Sequence, residues 1–149
     1  MKLHIEVAEG LTEDEVIIRC GRVDDRVKKL QAYIQGLSVP KLTLYKGVRE
    51  FYLPPEAVLF FETDGETVYA HTASDAFRVK HRLYELEELL PRSFVRSAKG
   101  TIVNTARIFA ITRNLASASK IEFSGTHKHV YASRHYYKSL KDKMKERSE

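Results

Sequence analysis

Three short polar stretches interrupt apolar, strand-like sequence: Asp64-Gly65-Glu66, Ser97-Ala98-Lys99-Gly100 and Arg134-His135. Turns held by a rigid sheet are where binding residues concentrate. Lys99 offers three donors on a long stem, and Gly100 beside it allows close backbone approach. Such a lysine can take a phosphate or the acceptor edge of guanine. Arg134 can grip either group with two prongs, and His135 can donate or accept at a base edge. Arg96 flanks the second stretch and can reach a phosphate, as can Arg113 and Lys120 from later turns. Contacts of that kind position a protein without reading sequence.

His127-Lys128-His129 points to different chemistry. Two imidazoles around an ammonium can act as base, acid and phosphate stabiliser in RNA cleavage. The same spacing is that of a polar hairpin arm, and the segment contains no carboxylate to orient either ring. The chain carries no phosphate-cradling glycine loop and no nucleophile motif. Cys20 is the only cysteine, so no internal disulfide and no cysteine-based metal site is expected. No metal, cofactor or small-molecule substrate is expected, and binding without catalysis is the favoured class.

Charge supports a polyanion. Residues 1–36 carry 6 Lys/Arg against 7 Asp/Glu, residues 37–91 carry 6 against 9, and residues 92–149 carry 13 against 4. The final third is thus net +9 in a chain of net +5. This is the electrostatic footprint of a nucleic-acid face. Few aromatics sit in the basic stretches to stack single-stranded bases, which favours duplex DNA over the alternative of an RNA-binding module. No apolar run approaches a membrane span, the start lacks a signal-peptide pattern, and a reducing cytoplasm is the expected compartment.

The elements that position these residues follow from periodicity. Leu3, Ile5 and Val7 alternate with polar residues, and Glu15 to Cys20 is rich in β-branched types; both are expected strands. Asp24 or Asp25 can cap a helix whose face carries Val27, Leu30, Ile34 and Leu37, with Gly36 ending it. Residues 1–38 are therefore expected as a small β-β-α extension. From 39 to 149 the pattern is mainly β, α+β overall. Strands are expected around Leu42–Leu44, Phe51–Leu53, Val58–Glu62, Thr67–Thr72, Phe77–Val79, Phe94–Arg96, Thr101–Val103, Ile108–Thr112, Lys120–Phe123 and Lys128–Ala132. One helix carrying Leu83, Leu86 and Leu90 interrupts this meander. A terminal helix capped by Ser133 carries Tyr136, Tyr137, Leu140 and Met144.

Four pieces, in order, resemble the LytTR DNA-binding family. They are Val58-Leu59-Phe60-Phe61-Glu62 through Asp64-Gly65 into Val68-Tyr69-Ala70-His71-Thr72; Leu83 to Leu90 closed by Pro91; Phe94 through Ser97-Ala98-Lys99-Gly100 to Asn104; and Val130 to Tyr136. The resemblance runs from roughly Leu44 to Met144. It implies an elongated β meander or sandwich with short helices, reading operator or promoter DNA in the major groove with loops. It places contacts near Glu66, at Lys99, and at His135 with Arg134 beside it; Arg96, Ser97 and Gly100 complete the candidate set. Asp64 and Glu66 stand where many relatives have a basic residue or histidine, a departure that makes the first loop the least basic of the three. His71 and Asn104 also match common family residues, and both suit structural hydrogen bonding. Most members of that family carry a phospho-acceptor domain upstream, and 36 residues are too few for one, so a stand-alone regulator is expected, as a homodimer; the resemblance also implies a membrane-bound inhibitory protein as a partner.

Overall fold

Val58, Leu59, Phe60 and Phe61 are four consecutive apolar residues, and all four are buried. A strand alternates its side chains between two faces, so such a run needs a core on each side. The computed structural model, which describes residues 1–37 and 41–147, supplies both cores in the unit that follows residue 37.

That unit begins with the hairpin β1 (Leu42–Lys46) and β2 (Arg49–Leu53), followed by a short 3-10 turn at Pro55–Ala57. Strands β3 (Phe60–Asp64), β4 (Thr67–His71) and β5 (Ala76–Val79) come next, then helix α1 (Leu83–Leu89). Strands β6 (Phe94–Ala98) and β7 (Thr101–Asn104) lead through a 3-10 turn to β8 (Ile108–Thr112), β9 (Ser119–Phe123) and β10 (His129–Ala132). Helix α2 (Arg134–Arg147) follows. A seven-stranded antiparallel sheet has the order β2-β1-β5-β4-β3-β7-β6, and β10-β9-β8 form a second sheet. The order departs from a plain meander. The β1–β2 hairpin pairs with β5 through Tyr45 and Arg78 rather than with β3, its next strand in sequence.

Register sorts the residues. Phe61 lies opposite Ile102, and Phe60 opposite Val103. Phe61 and Ile102 enter a core with Leu44, Val68, Phe77 and the α1 face Leu83, Leu86 and Leu90. Phe60 and Val103 enter the other, with Ile108, Ile121, Phe123, Val130 and Leu140 of α2; Tyr137 and Met144 pack at its margin. The expected helix faces are thus the buried ones. Asn104 is buried too, and is satisfied locally: Nδ2 donates to the Val58 carbonyl at 3.0 Å, and Oδ1 accepts from the Ala106 N–H at 3.1 Å.

The turn after β9 is tied back to the turn after β4. Thr126 Oγ1 donates to the Ala73 carbonyl at 2.8 Å. Lys128 Nζ donates to the Asp75 carbonyl at 2.6 Å and lies 3.2 Å from Nδ1 of His71. His71 stacks on Phe60, with ring centroids 4.4 Å apart. Burial, and then the Lys128 charge, push the His71 pKa down to about 4. Lys128 is also lowered, by its own burial.

Residues 1–37 form a separate unit. Its one helix, the N-terminal helix, spans Asp25–Leu37. Asp24 Oδ1 accepts from the Val27 N–H at 3.0 Å, the expected carboxylate cap. The helix runs through Gly36 rather than stopping there. The two expected strands are a correction: residues 3–7 and 15–20 form no ladder, and Leu3, Ile5, Val7, Val16 and Ile17 are exposed. Alternation is a pattern that needs a partner edge, and neither segment has one among the described residues. The boundary placed at residue 38 falls outside the described residues.

Two outcomes test this account. A Cβ on Gly100 would lie 2.5 Å from Thr63 Oγ1, so Gly100→Ala should cost on the order of 1–3 kcal/mol in urea unfolding. Most of that should return in Thr63→Ala/Gly100→Ala; no recovery would show the strain lies elsewhere. Second, a histidine whose folded pKa is depressed contributes stability that is whole above its ordinary value of 6.5 and is lost as pH falls toward about 4. His71→Gln should flatten the fall in urea midpoint over that window, and an unchanged profile would remove His71 as its source.

Candidate nucleic-acid interface

The three sequence stretches meet at one end of the large sheet, because register leaves them nowhere else. Asp64 pairs with Thr67, so β3 turns into β4 through Gly65 and Glu66 alone. Gly65 has φ +63, a left-handed conformation that glycine adopts without strain. Glu62 pairs with Thr101, which puts the start of β7 beside the end of β3. The Thr63 N–H donates to the Gly100 carbonyl at 2.9 Å, joining the first turn to the second. Ala98 pairs with Thr101, so the second turn is only Lys99-Gly100, tighter than the four-residue loop expected. Ser97 then joins the second turn to the third. Its hydroxyl donates to the Tyr131 carbonyl at 3.3 Å, and its carbonyl accepts from the Ser133 N–H at 2.8 Å. Ser133 Oγ accepts from the Tyr136 N–H at 3.4 Å, capping α2 as expected.

Glu66, Lys99, Arg134 and His135 are all exposed on these tips. The His135 ring meets Tyr136 edge-on at 4.8 Å, which limits its swing. Lys99, Arg134 and His135 therefore present two cations and an imidazole from turns whose backbones are hydrogen-bonded together. Glu66 adds a carboxylate beside them. The arrangement suits a ligand with acceptor edges flanked by phosphates.

The neighbours of Lys99 have other work. Ser97 is fully buried, so the expectation that it faces nucleic acid is corrected: it pins β6 to β10 and to α2. The missed signal was its parity with Val95, which packs on the second core. Gly100 provides close approach, but to Thr63 across the strand pair. Arg96 Nη1 donates to the Lys99 carbonyl at 2.5 Å, while its Nε faces the Glu87 carboxylate of α1. Arg96 is thus a brace between helix and turn. Glu87 was not foreseen, because nothing in the helical pattern distinguishes it from Glu85 or Glu88.

Arg113 and Lys120 lie toward the third tip, since Lys120 pairs with Tyr131 and Arg113 packs on the helix that Arg134 begins. Arg113 sits over the Tyr137 ring at 5.0 Å, and Lys120 is 3.9 Å from Glu122. The histidine segment belongs to the opposite end of β4, where His71 pairs with Phe60. A cleft of about 540 Å³ there is lined by Phe60, Glu62, His71 and residues 126–129. Lys128 is occupied by His71 and Asp75, so it is a tie between sheets rather than a free phosphate stabiliser. Among the described residues, no group of three or more His, Cys, Asp or Glu is placed to hold a metal, and no helix is long and apolar enough to cross a membrane.

Known proteins share this plan. Residues 49–145 match the model of the LytTr DNA-binding domain. A protein of Staphylococcus aureus strain NCTC 8325 / PS 47, named an uncharacterized HTH-type transcriptional regulator, is 28% identical over 145 residues, covering 97% of this chain and 98% of its own. Its counterpart of the same name in strain MRSA252 is 27% identical over the same span. The LytTr DNA-binding domain of a response regulator from Bacillus cereus superposes with a TM-score of 0.65 at 24% identity, covering 70% of this chain and 96% of that one. Helix-turn-helix geometry needs consecutive helices, whereas the helices described here are separated by strands. With most of its length matched in sequence and its sheets matched in structure, this chain belongs to the LytTR DNA-binding domain family.

Proposed function

We propose that this protein regulates transcription by reading duplex DNA in the major groove with the tips of three turns. The observation that carries the reading is the bonded run of turns, Thr63 to Gly100 and Ser97 to Ser133, with Lys99, Arg134 and His135 exposed on it. Lys99 and Arg134 take guanine acceptors or flanking phosphates, and His135 takes a base edge. The Gly65-Glu66 turn lies alongside, where Glu66 accepts at most a cytosine amino group. Arg96 serves through Lys99, whose backbone it holds. The net +9 of residues 92–149 supplies the sequence-independent attraction.

The relatives named as transcriptional regulators match nearly the whole chain, which supports the regulatory role. In this reading residues 39–149 are the DNA-binding domain and residues 1–38 a regulatory or dimerising extension. The protein works in the cytoplasm as a homodimer on two half-sites, without catalysis, cofactor or small-molecule substrate. Its family resemblance extends to response-regulator output domains, with a membrane-bound inhibitory protein as the regulatory partner.

Selection from random duplex DNA at near-physiological salt should yield a site bound more tightly than its scrambled form. Affinity should fall steeply with salt. Equal affinity for both sequences would sink the reading. Lys99→Ala or Arg134→Ala should each cost about 1–3 kcal/mol on the selected site if it reads a base. A loss spread evenly over all sequences would reassign the residue to phosphate. Glu66→Ala should leave affinity unchanged or improve it, and a large loss would make Glu66 a base contact. Glu87→Gln frees the Arg96 brace at a partly exposed pair. It should narrow the gap between selected and scrambled DNA at constant salt dependence; a reduced salt slope would instead make Arg96 a phosphate contact.

A further inference from the structure

Ten large apolar side chains in residues 1–37 are more than half exposed: Met1, Leu3, Ile5, Val7, Leu11, Val16, Ile17, Val23, Tyr33 and Leu37. None of the residues of the N-terminal helix is buried. Within this unit a groove of about 710 Å³ is lined by Leu3, Val16, Ile17, Val27, Leu30 and Ile34, among others. A monomer ordinarily exposes contiguous apolar patches of a few hundred Å². Segments 3–7 and 15–20 belong to no helix or ladder, so their apolar side chains have no sheet beneath them within this unit.

Charge identifies the other chain. Residues 6–15 contain five acidic residues, Glu6, Glu9, Glu13, Asp14 and Glu15, and no basic one. Residues 19–29 contain five basic residues, Arg19, Arg22, Arg26, Lys28 and Lys29, against Asp24 and Asp25. Among the described residues, no ion pair joins the two segments. A two-fold interface needs a surface complementary to itself, so that what residue i meets on the partner, the partner's residue i also meets. The groove is rimmed by Lys2, Arg19, Arg22 and Arg26 with Asp24, while the exposed acidic segment 6–15 lies outside its lining, so each copy carries a basic groove and an acidic segment to offer the other. A polyanion or an anionic membrane surface would be repelled by the acidic half.

We infer that residues 1–37 are a self-complementary interface for a second copy of this chain, with residues 6–15 of one copy against residues 19–29 of the other and the Leu3–Val16–Leu30 groove closed between them. This names the contact behind the homodimer proposed above, and it rests on that part of the reading, not on the DNA contacts.

Two charge-reversed full-length proteins test it by sedimentation equilibrium in about 100 mM salt, where charges at contact distance are still felt. One carries Glu9→Lys, Glu13→Lys and Glu15→Lys; the other carries Arg19→Glu, Arg22→Glu and Arg26→Glu. The parent should be a dimer at micromolar concentration, each variant alone at least tenfold weaker, and their equimolar mixture a heterodimer of parental strength. Ile17→Asp should abolish the dimer in the parent. Unchanged near-UV circular dichroism and melting of the β unit will show that the variants remain folded. A monomeric parent, variants that dimerise unaided, or a mixture that stays monomeric would each overturn the interface; the last would mean the two segments pair within one chain. Selected DNA bound by a monomeric parent leaves the DNA reading standing and removes this one. A dimer that binds no DNA selectively does the reverse.

Discussion

The structure hangs on one strand pair that must face two cores at once. β3 and β7 contribute Phe61 and Ile102 to one side and Phe60 and Val103 to the other, all nearly or fully buried. A slip of one residue would send every side chain to the opposite face. Here both faces are apolar, so burial alone would not forbid the slip as it does in a one-sided sheet. Register must be held by something polar. Asn104 does so at the open end, where it is buried, donating to the Val58 carbonyl and accepting from the Ala106 N–H. A buried amide left unpaired costs about 1–3 kcal/mol. Gly100 acts at the other end, because only a residue without Cβ lets Thr63 approach so closely.

That register is what places the candidate recognition turns. Once Glu62 faces Thr101, the two-residue turns at Gly65-Glu66 and Lys99-Gly100 are side by side. Ser97 then carries the order across to the second sheet and to the first turn of α2. Each residue proposed to contact DNA is therefore a long or adaptable side chain on a hydrogen-bonded turn. This division reduces the conformational entropy lost on binding to that of the side chains. The Arg96–Glu87 pair is partly exposed, with side chains 21% and 44% accessible, and such pairs contribute at most about 1 kcal/mol to stability. Its importance is directional: it holds the Lys99 carbonyl, and so the turn.

The fold was legible where apolar residues form a continuous run or repeat at helical spacing. The run Val58 to Phe61, the helix face Leu83, Leu86 and Leu90, and the terminal face with Leu140 each had one reasonable interpretation, and each holds its place in a core. The tips Lys99, Arg134 and His135 were legible because polar residues break good strands there. Ser97 was misread because a small polar residue two positions before Lys99-Gly100 looks like loop; only its parity with Val95 betrays it. The partners Glu87, Thr63 and Tyr131 were invisible, since they come from 9, 37 and 34 residues away and only pairing brings them in. Residues 3–7 and 15–20 failed for a different reason. Alternation describes a surface that can pair, and says nothing about whether the pairing chain is its own.

That distinction bears on how a small reader gains selectivity. A single major-groove contact discriminates by roughly 1–3 kcal/mol, and two or three turns give few such contacts. Competing sites in a genome number in the millions, so one reader of this size binds many of them. Joining two readers makes the second encounter intramolecular, and the gain in affinity appears only where both half-sites are present at the permitted spacing. An apolar, charge-segregated extension that carries no basic excess adds nothing to non-specific attraction. It can raise specificity without raising the background, which a second basic patch could not do.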